Sequence, residues 1–398
     1  MIYLDNAAST RIYPEVLEEM MPYLTSEYGN PGGMYAPGRK AREAVENARS
    51  QAAKLFGCSP EEVIFTSGGS EGNNMVLRGA AEWMQNSWKT EIVTTSMEHD
   101  SVLRTVKELE RLNGFHASFA DPNPGEQGSV NPQDISNLIT EKTGVISVMH
   151  VNNETGVIND IRSVADMISG FAGGGSRARP VLHSDCVQSA GNYDINVDRL
   201  GVDLATISSH KIHGPKGVGA VYCRKNAEGF RLNPLITGGL LQEHGLRGGT
   251  ENVSGIVGFG KACEIASSNL KKIRKTYTLL SEKFLHTLWY ALGYDSVEIN
   301  GASMMDGKTV NLWIKGVDAQ SLILMLSDRV CLSAGSACTS HSSEPSHVLR
   351  AMGFPDDRCG ESVRVSFSDL NTEEEVEEAA LLVASSAMIL RNGVPNDR

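Results

Sequence analysis

The sequence predicts an α/β fold built on a mostly parallel sheet, and three observations carry that expectation. Short apolar, β-branched runs alternate with helical segments between Glu62 and Tyr222. Most of those runs end in turns rich in Gly, Ser, Asn or Asp. After Val253 the pattern changes to one long helical stretch followed by short strands mixed with helices, which reads as a smaller α+β domain. Strands in a sheet flanked by helices on both faces look like continuous apolar runs, and parallel neighbours need helical crossovers.

Taken in order, residues 3–6 read as a short strand and 13–23 as a helix with Pro14 in its first turn. Residues 39–56 have helical apolar spacing and stop at Gly57. Strands follow at 62–65, 92–96, 115–119, 145–151, 181–183 and 202–207. The helices between them are expected at 70–84, 101–112, 132–139 and 161–171. A glycine-rich loop, Gly173-Gly174-Gly175-Ser176, reads as a solvated connection. The later part carries a helix over 255–292, strands at 310–314 and 363–367, and helices at 319–326 and 372–390. The expected division is a large domain over 14–258, with 1–13 and 259–398 forming the small one.

Composition narrows the function. The chain has 398 residues and a formal net charge of −12, which argues against direct binding to nucleic acid or an anionic membrane. The N-terminus lacks the basic-then-apolar pattern of a signal peptide, and no run approaches 18 apolar residues, so a cytoplasmic protein without a membrane span is expected. Seven cysteines, spread from Cys58 to Cys359 without CxxC pairs, give neither a disulfide framework nor a metal site.

The chemistry centres on VDLATISSHKIHGPKGVG, residues 202–219. Lys211 sits just past a strand end, beside hydroxyls able to bind an anion. Such a lysine is often only a solvated turn residue, but partial withdrawal from water would make it a nucleophilic amine. In open parallel sheets, ligands bind beyond the carboxyl ends of the strands. His99, Asn153, Asp185 and Gln188 all fall there with Lys211. Each alone could be a cap or turn residue. Together, a Schiff-base lysine, an aspartate able to pair with a pyridinium nitrogen and a phosphate cradle suit pyridoxal 5′-phosphate (PLP). Ser67-Gly68-Gly69-Ser70 opens a helix and offers that cradle, and Ser208 and His210 flank Lys211 as further donors.

The segments TSGGSEGNN, SMEHDSVL, VMHVNNETG, HSDCVQSAG, SSHKIHGPKGVGAVY, LRGGTENV and SAGSACTSHSSEPSHVLRAMG closely resemble the cysteine desulfurases of the NifS/IscS-like branch of class V aminotransferases. The resemblance implies a fold-type I PLP-dependent transferase and a homodimer. It makes Lys211 the lysine that carries PLP, Asp185 the partner of the ring nitrogen, and His99 the ring-stacking proton shuttle. It places Asn153 and Gln188 near the ring hydroxyl. Gly69, Ser70, Ser208 and His210 would hold the phosphate, with Thr250 reaching it from the other subunit. Arg364, with Asn153, would receive the carboxylate of L-cysteine. Cys338, in a loop at about 333–345 made of small and hydroxyl residues, becomes the persulfide-forming cysteine, which then serves a sulfur-acceptor protein. Cys223 and Cys331, in apolar runs, read as buried structural thiols.

Some positions depart from the family wording. His213 replaces a frequent Tyr, Cys186 stands beside Asp185 where a small residue is usual, and Phe367-Ser368-Asp369-Leu370 differs from the usual run after the arginine. A selenocysteine lyase or another class V aminotransferase is the competing enzyme reading, and a PLP-fold scaffold that mainly binds partners is the non-catalytic one. A transaminase would not need Cys338.

Overall fold

The computed structural model describes residues 1–124, 128–170, 179–225, 230–239, 242–301, 307–335 and 345–392. In chain order the elements are β1 (Ile2–Tyr3), α1 (Pro14–Leu24), α2 (Ala36–Phe56), β2 (Val63–Thr66), α3 (Gly69–Asn86), β3 (Glu91–Thr95), α4 (Asp100–Asn113) and β4 (His116–Ala120). They continue with α5 (Pro132–Asn137), β5 (Thr143–Ser147), α6 (Ile161–Gly170), β6 (Val181–Asp185), α7 (Val197–Leu200), β7 (Leu204–Ser208), β8 (Gly219–Cys223) and α8 (Val253–Leu292). The last are β9 (Val297–Ile299), β10 (Thr309–Ile314), α9 (Ala319–Leu326), β11 (Val330–Cys331), α10 (His347–Ala351), α11 (Asp356–Gly360), β12 (Ser362–Ser366) and α12 (Glu373–Asn392).

Seven strands form the main sheet in the order β2-β8-β7-β6-β5-β3-β4. β4, β3, β5, β6 and β7 are parallel, and β8 lies antiparallel between β7 and β2. β5, β6 and β7 are buried along their whole length, which is why the sequence shows unbroken apolar runs there and not alternation. Gly219 pairs with Ser208, where a Cβ would stand 2.8 Å from Gly68 Cα and 2.6 Å from the Ile207 carbonyl oxygen. Only glycine lets β8 pass this close to the turn that precedes α3.

Two large apolar cores, with two smaller clusters beside them, organise the described residues. Phe56, Phe65, Ile146, Leu182 and Ile207 belong to the first. Leu4, Leu312, Leu322, Val363 and Val376 belong to the second, around the antiparallel sheet β12-β10-β9. α8 contributes to both: Phe259, Cys263 and Ala266 pack in the first, and Ile273, Tyr277, Phe284 and Leu288 in the second. At 1.5 Å per residue this helix of 40 residues is about 60 Å long.

The N-terminal strand is shorter than expected, two residues paired in parallel with β11. β5 stops at Ser147, although Val148 and His150 still donate to the carbonyls of His183 and Asp185 as the chain leaves the sheet. α7, β9, β11, α10 and α11 are too short to carry a periodic signal. Cys223 and Cys331 are half-buried, not buried as expected. The first ends β8, and the second lies on a two-stranded ladder with its thiol against Met1 Sδ. The loop 173–176 lies outside the described residues. No described helix is long and apolar enough to cross a membrane, and no cluster of metal-ligating side chains occurs among the described residues.

One buried ion pair pins the glycine-rich segment after β8 to the sheet. Glu243 adopts φ +41, a left-handed conformation rare outside glycine. Its carboxylate accepts from Arg49 Nη1 (2.7 Å), Arg49 Nη2 (2.8 Å) and the Phe65 backbone N–H (2.7 Å). Both side chains are almost wholly buried. Glu243→Ala would leave the buried Arg49 guanidinium with only the exposed Glu46 carboxylate and the Val63 carbonyl, so urea unfolding should show a loss of about 3–5 kcal/mol. A loss below ~1 kcal/mol, the value of an exposed pair, would contradict this account.

Candidate active site

The site forms where the parallel strands end. Beyond Ser208 the backbone of β7 closes a single tight turn, Ser209–Lys211, whose first N–H donates to the Val218 carbonyl. This turn directs the Lys211 side chain toward the N-terminal segment. Lys211 Nζ donates to the carbonyls of Ala7 (2.5 Å) and Ala8 (2.9 Å). The Lys211 carbonyl in turn accepts from the buried Lys308 Nζ (2.9 Å).

Asp185 is the last residue of β6. Its Oδ1 accepts from the Val187 N–H (3.0 Å) and its Oδ2 from Asn73 Nδ2 (2.7 Å). Asn73 also donates to Ser101 Oγ (2.9 Å), which lies 2.8 Å from His99 Nδ1. His99 is the N-cap of α4, and its Nδ1 accepts from the Ser101 backbone N–H (3.1 Å). A backbone amide can only donate, so the neutral ring carries its proton on Nε2. Asn73 and Ser101 therefore join Asp185 to His99.

The cradle precedes α3. Gly68 has φ +151, which favours glycine, and Gly69 and Ser70 open the helix with their N–H groups unpaired by the helix itself. Glu71 steadies the turn: its carboxylate accepts from the Ser67 N–H (2.9 Å) and from Arg247 Nε (3.0 Å). A shallow depression joins Ser67, Gly69 and Ser70 to Ser208, His210 and Lys216. Burial first, then the nearby Lys211, Lys216 and Lys308, lowers the His210 pKa to about 4. At pH 7 His210 is a neutral hydrogen-bonding group.

Asn153 is presented by a turn in which Asn152 Oδ1 accepts from the N–H groups of Glu154 and Thr155 (2.9 Å each). Arg364, fully buried in the middle of β12, donates from Nη1 to the Asn153 carbonyl (2.9 Å) and from Nη2 to Asp5 Oδ1 (2.8 Å). Gln188 donates to the Ala7 carbonyl (3.0 Å).

One cavity of about 760 Å³, including its mouth, gathers these groups. Lys211, Asp185, His99 and Arg364 line it. So do Asn153, Gln188, Gly69, Ser70, Ser208 and His210. Asn73 Oδ1, Asn153 Oδ1, Gln188 Oε1 and Arg364 Nε are buried without a hydrogen-bond partner among the described residues. All four residues line the cavity, and each unpaired group costs about 1–3 kcal/mol until a water or a polar ligand satisfies it.

Thr250 is exposed and does not line this cavity. Cys338 lies outside the described residues. On either side of it, Gly335 and Ser346 converge on Glu154: a Cβ on Gly335 would be 3.2 Å from Glu154 Oε2, which accepts from Ser346 Oγ (2.5 Å). Sequence reasoning missed Asp5, Ala7 and Ala8, which carry no motif signal of their own. It also missed Asn73 and Ser101, although both stand inside quoted motifs. Cys186 is fully buried, and burial raises its pKa to about 12, so it is inert.

Two departures from the family wording meet behind Lys211. His213, at φ +65, stacks on Tyr13 (4.1 Å between centroids) and donates from Nδ1 to the Arg11 carbonyl (2.8 Å). Its Nε2 lies 3.4 Å from both Ser368 Oγ and Asp369 Oδ1. Burial outweighs the pull of Asp369 and holds the His213 pKa at about 4. The His213–Asp369 contact is accordingly not an ion pair at pH 7.

The aminotransferase class-V family profile matches residues 2–379. The chain is 40% identical over 397 residues to the cysteine desulfurase IscS of Rickettsia typhi, covering 99% of this chain and 93% of that protein. Among solved structures, a NifS-like protein superposes with a TM-score of 0.87 at 34% identity, covering 98% of this chain and all of the other. A structure of SspA in complex with cysteine gives a TM-score of 0.80 at 31% identity, covering 94% of this chain and all of the other.

Glu98 precedes His99 and is fully buried. Burial first, and the Asp185 charge after it, raise its pKa to about 8, against hydrogen bonds from the Met149 N–H and Thr95 Oγ1. The folded protein therefore holds a proton there between about pH 4.5 and 8 that the unfolded chain releases, and stability falls as pH rises through that window. Glu98→Gln keeps the accepting oxygen and removes this proton linkage. Melting temperatures between pH 5 and 8 should show wild type losing ground to Glu98→Gln as pH rises; a constant difference would place the proton elsewhere.

Proposed function

This chain belongs to the aminotransferase class-V family, and we propose that within it the chain is a PLP-dependent cysteine desulfurase. The observation that carries the reading is the convergence of Lys211, Asp185, His99 and Arg364 on one cavity with unpaired buried polar atoms in its walls. PLP fits these residues: a lysine amine for its aldehyde, a fixed carboxylate for its ring nitrogen and a helix N-terminus for its phosphate. When bound, it supplies an electron sink that weakens bonds at the substrate's Cα and, through it, at Cβ.

Lys211 Nζ would hold the cofactor's aldehyde and would take and return the substrate's α-proton. Asp185, braced by Asn73 and the Val187 N–H, would keep the ring nitrogen protonated. His99 would lie beside the ring, with Nε2 as the atom that exchanges a proton. Asn153 and Gln188 supply polar contacts beside the ring. Gly69, Ser70, Ser208 and His210 would hold the phosphate, and in a homodimer Thr250 of one protomer would reach across to its partner's phosphate. Arg364 receives the carboxylate of L-cysteine.

The thiolate of Cys338 attacks the sulfur of L-cysteine. The new S–S bond forms as the Cβ–S bond breaks, the electron pair stays on Cβ, and a proton completes L-alanine. The persulfide sulfur then passes to the thiol of an acceptor protein, in service of iron–sulfur cluster assembly, tRNA thiolation or DNA phosphorothioation. Persulfide chemistry of this kind suits the reducing cytoplasm. The division we infer, a large domain over 14–258 and a small one from 1–13 with 259–398, is drawn through α8, whose first turns as far as Ala266 still pack in the first core and whose later turns pack in the second.

Borohydride reduction of the PLP-loaded protein, followed by peptide mass spectrometry, should place the pyridoxyl group on Lys211; an adduct elsewhere refutes the assignment. Lys211→Ala should lower alanine release at least ~10⁴-fold. Cys338→Ser should bind PLP and L-cysteine but accumulate no persulfide. A Cys338→Ala protein that still turned cysteine over to alanine would favour the aminotransferase or selenocysteine lyase reading.

A further inference from the structure

Arg364 is the least typical group in the cavity wall. It is 1% exposed, and a guanidinium that deep in protein needs a counter-charge and fixed hydrogen bonds. It has both. Nη1 is held by the Asn153 carbonyl and Nη2 by Asp5 Oδ1, while Nε is buried and unpaired among the described residues. The guanidinium is planar and rigid, so fixing two nitrogens fixes the direction of the third.

The position of Asp5 is itself over-determined. The Ser366 N–H donates to the Leu4 carbonyl (2.8 Å), and the Asn6 N–H donates to the Ser366 carbonyl (3.3 Å). The Ala7 N–H donates to Ser366 Oγ (2.8 Å). These bonds lay residues 4–7 alongside the end of β12, two residues beyond Arg364. The next carbonyls along, those of Ala7 and Ala8, receive Lys211 Nζ. One short segment thus sets the angle of the arginine and the resting place of the lysine.

We propose that Asp5 is a positioning residue for substrate recognition: its carboxylate holds Arg364 Nη2 and so sets the angle at which the guanidinium meets the substrate's α-carboxylate. This rests on the reading of Arg364 as the carboxylate receptor. A bare counter-ion would need only charge. A positioning residue needs an acceptor oxygen at one place, whether or not it is charged. Asp5→Asn preserves that oxygen without the charge, and Asp5→Ala removes both.

The test compares L-cysteine with cysteamine, which lacks only the carboxylate, on the PLP-loaded enzyme. Half-saturation of the change in cofactor absorbance gives the binding preference, and steady-state kinetics give kcat and KM separately. Asp5→Ala should weaken L-cysteine binding and raise its KM about tenfold or more. Cysteamine binding should stay within about twofold of wild type, and kcat for L-cysteine should change less than KM. Asp5→Asn should recover most of the preference. The proposal is overturned if Asp5→Ala keeps the wild-type preference or binds L-cysteine more tightly. It is also overturned if Asp5→Asn and Asp5→Ala shift together, which would make Asp5 a counter-ion only. Arg364→Ala separates the two claims. If it keeps the preference, the carboxylate reading of Arg364 falls and this proposal with it. If it loses the preference while Asp5→Ala keeps it, only the role of Asp5 falls.

Discussion

The N-terminal strap, residues 4–13, holds the site together, and its Ala7 and Ala8 carbonyls receive Lys211 Nζ. These hydrogen bonds close the strap over the end of the parallel sheet. Along that strap, Asp5 meets Arg364, Thr10 binds the His210 carbonyl through both its N–H and its hydroxyl, and Tyr13 donates to Asp369. The strap begins in the second core, where Leu4 is fully buried, and ends in the first, where Tyr13 packs. The lysine and the arginine sit on different sheets, and residues 4–13 bridge them. Their relative placement is set by these ten residues together with two direct links, Lys308 Nζ to the Lys211 carbonyl and Arg364 Nη1 to the Asn153 carbonyl.

Electrostatics in and around the cavity follow from burial more than from charge pairing. His210 and His213 are held neutral at pH 7 by desolvation, even though Asp369 stands beside the latter. Glu98 is held protonated for the same reason. The charged groups left in contact with the cavity are few and individually braced: Asp185 by Asn73, Lys211 by two carbonyls, Arg364 by Asp5 and Asn153. Such bracing limits the reorganisation required when a ligand arrives, the condition for effective electrostatic stabilisation.

Much of this arrangement was legible in the sequence. The β–turn–α rhythm from Glu62 to Tyr222 was enough to give the sheet class, because strands buried on both faces leave a strong apolar signal. Lys211, Asp185, His99 and Asn153 were legible as a group because open parallel sheets put their strand ends on one rim. The antiparallel placing of β8 was not, since a five-residue apolar run looks the same in either direction. Asp5 was also hidden. Its importance comes from pairing across 359 residues with Arg364, and no local spacing encodes such a contact. Cys223 and Cys331 misled because an apolar run describes a strand's average burial, not that of a thiol at its last residue or on a two-stranded edge.

α8 has one more consequence. Its middle, Ser267 to Lys272, is largely solvated, while each end is clamped in a different core. Helical hydrogen bonds propagate order along the chain, so melting either clamped end frays the helix toward the other. The two cores thus share a mechanical shaft. Damage confined to one of them, a cavity at Phe284 for instance, is felt as softening in the other, and the molecule yields to heat or denaturant more nearly as one body than its two sheets would suggest.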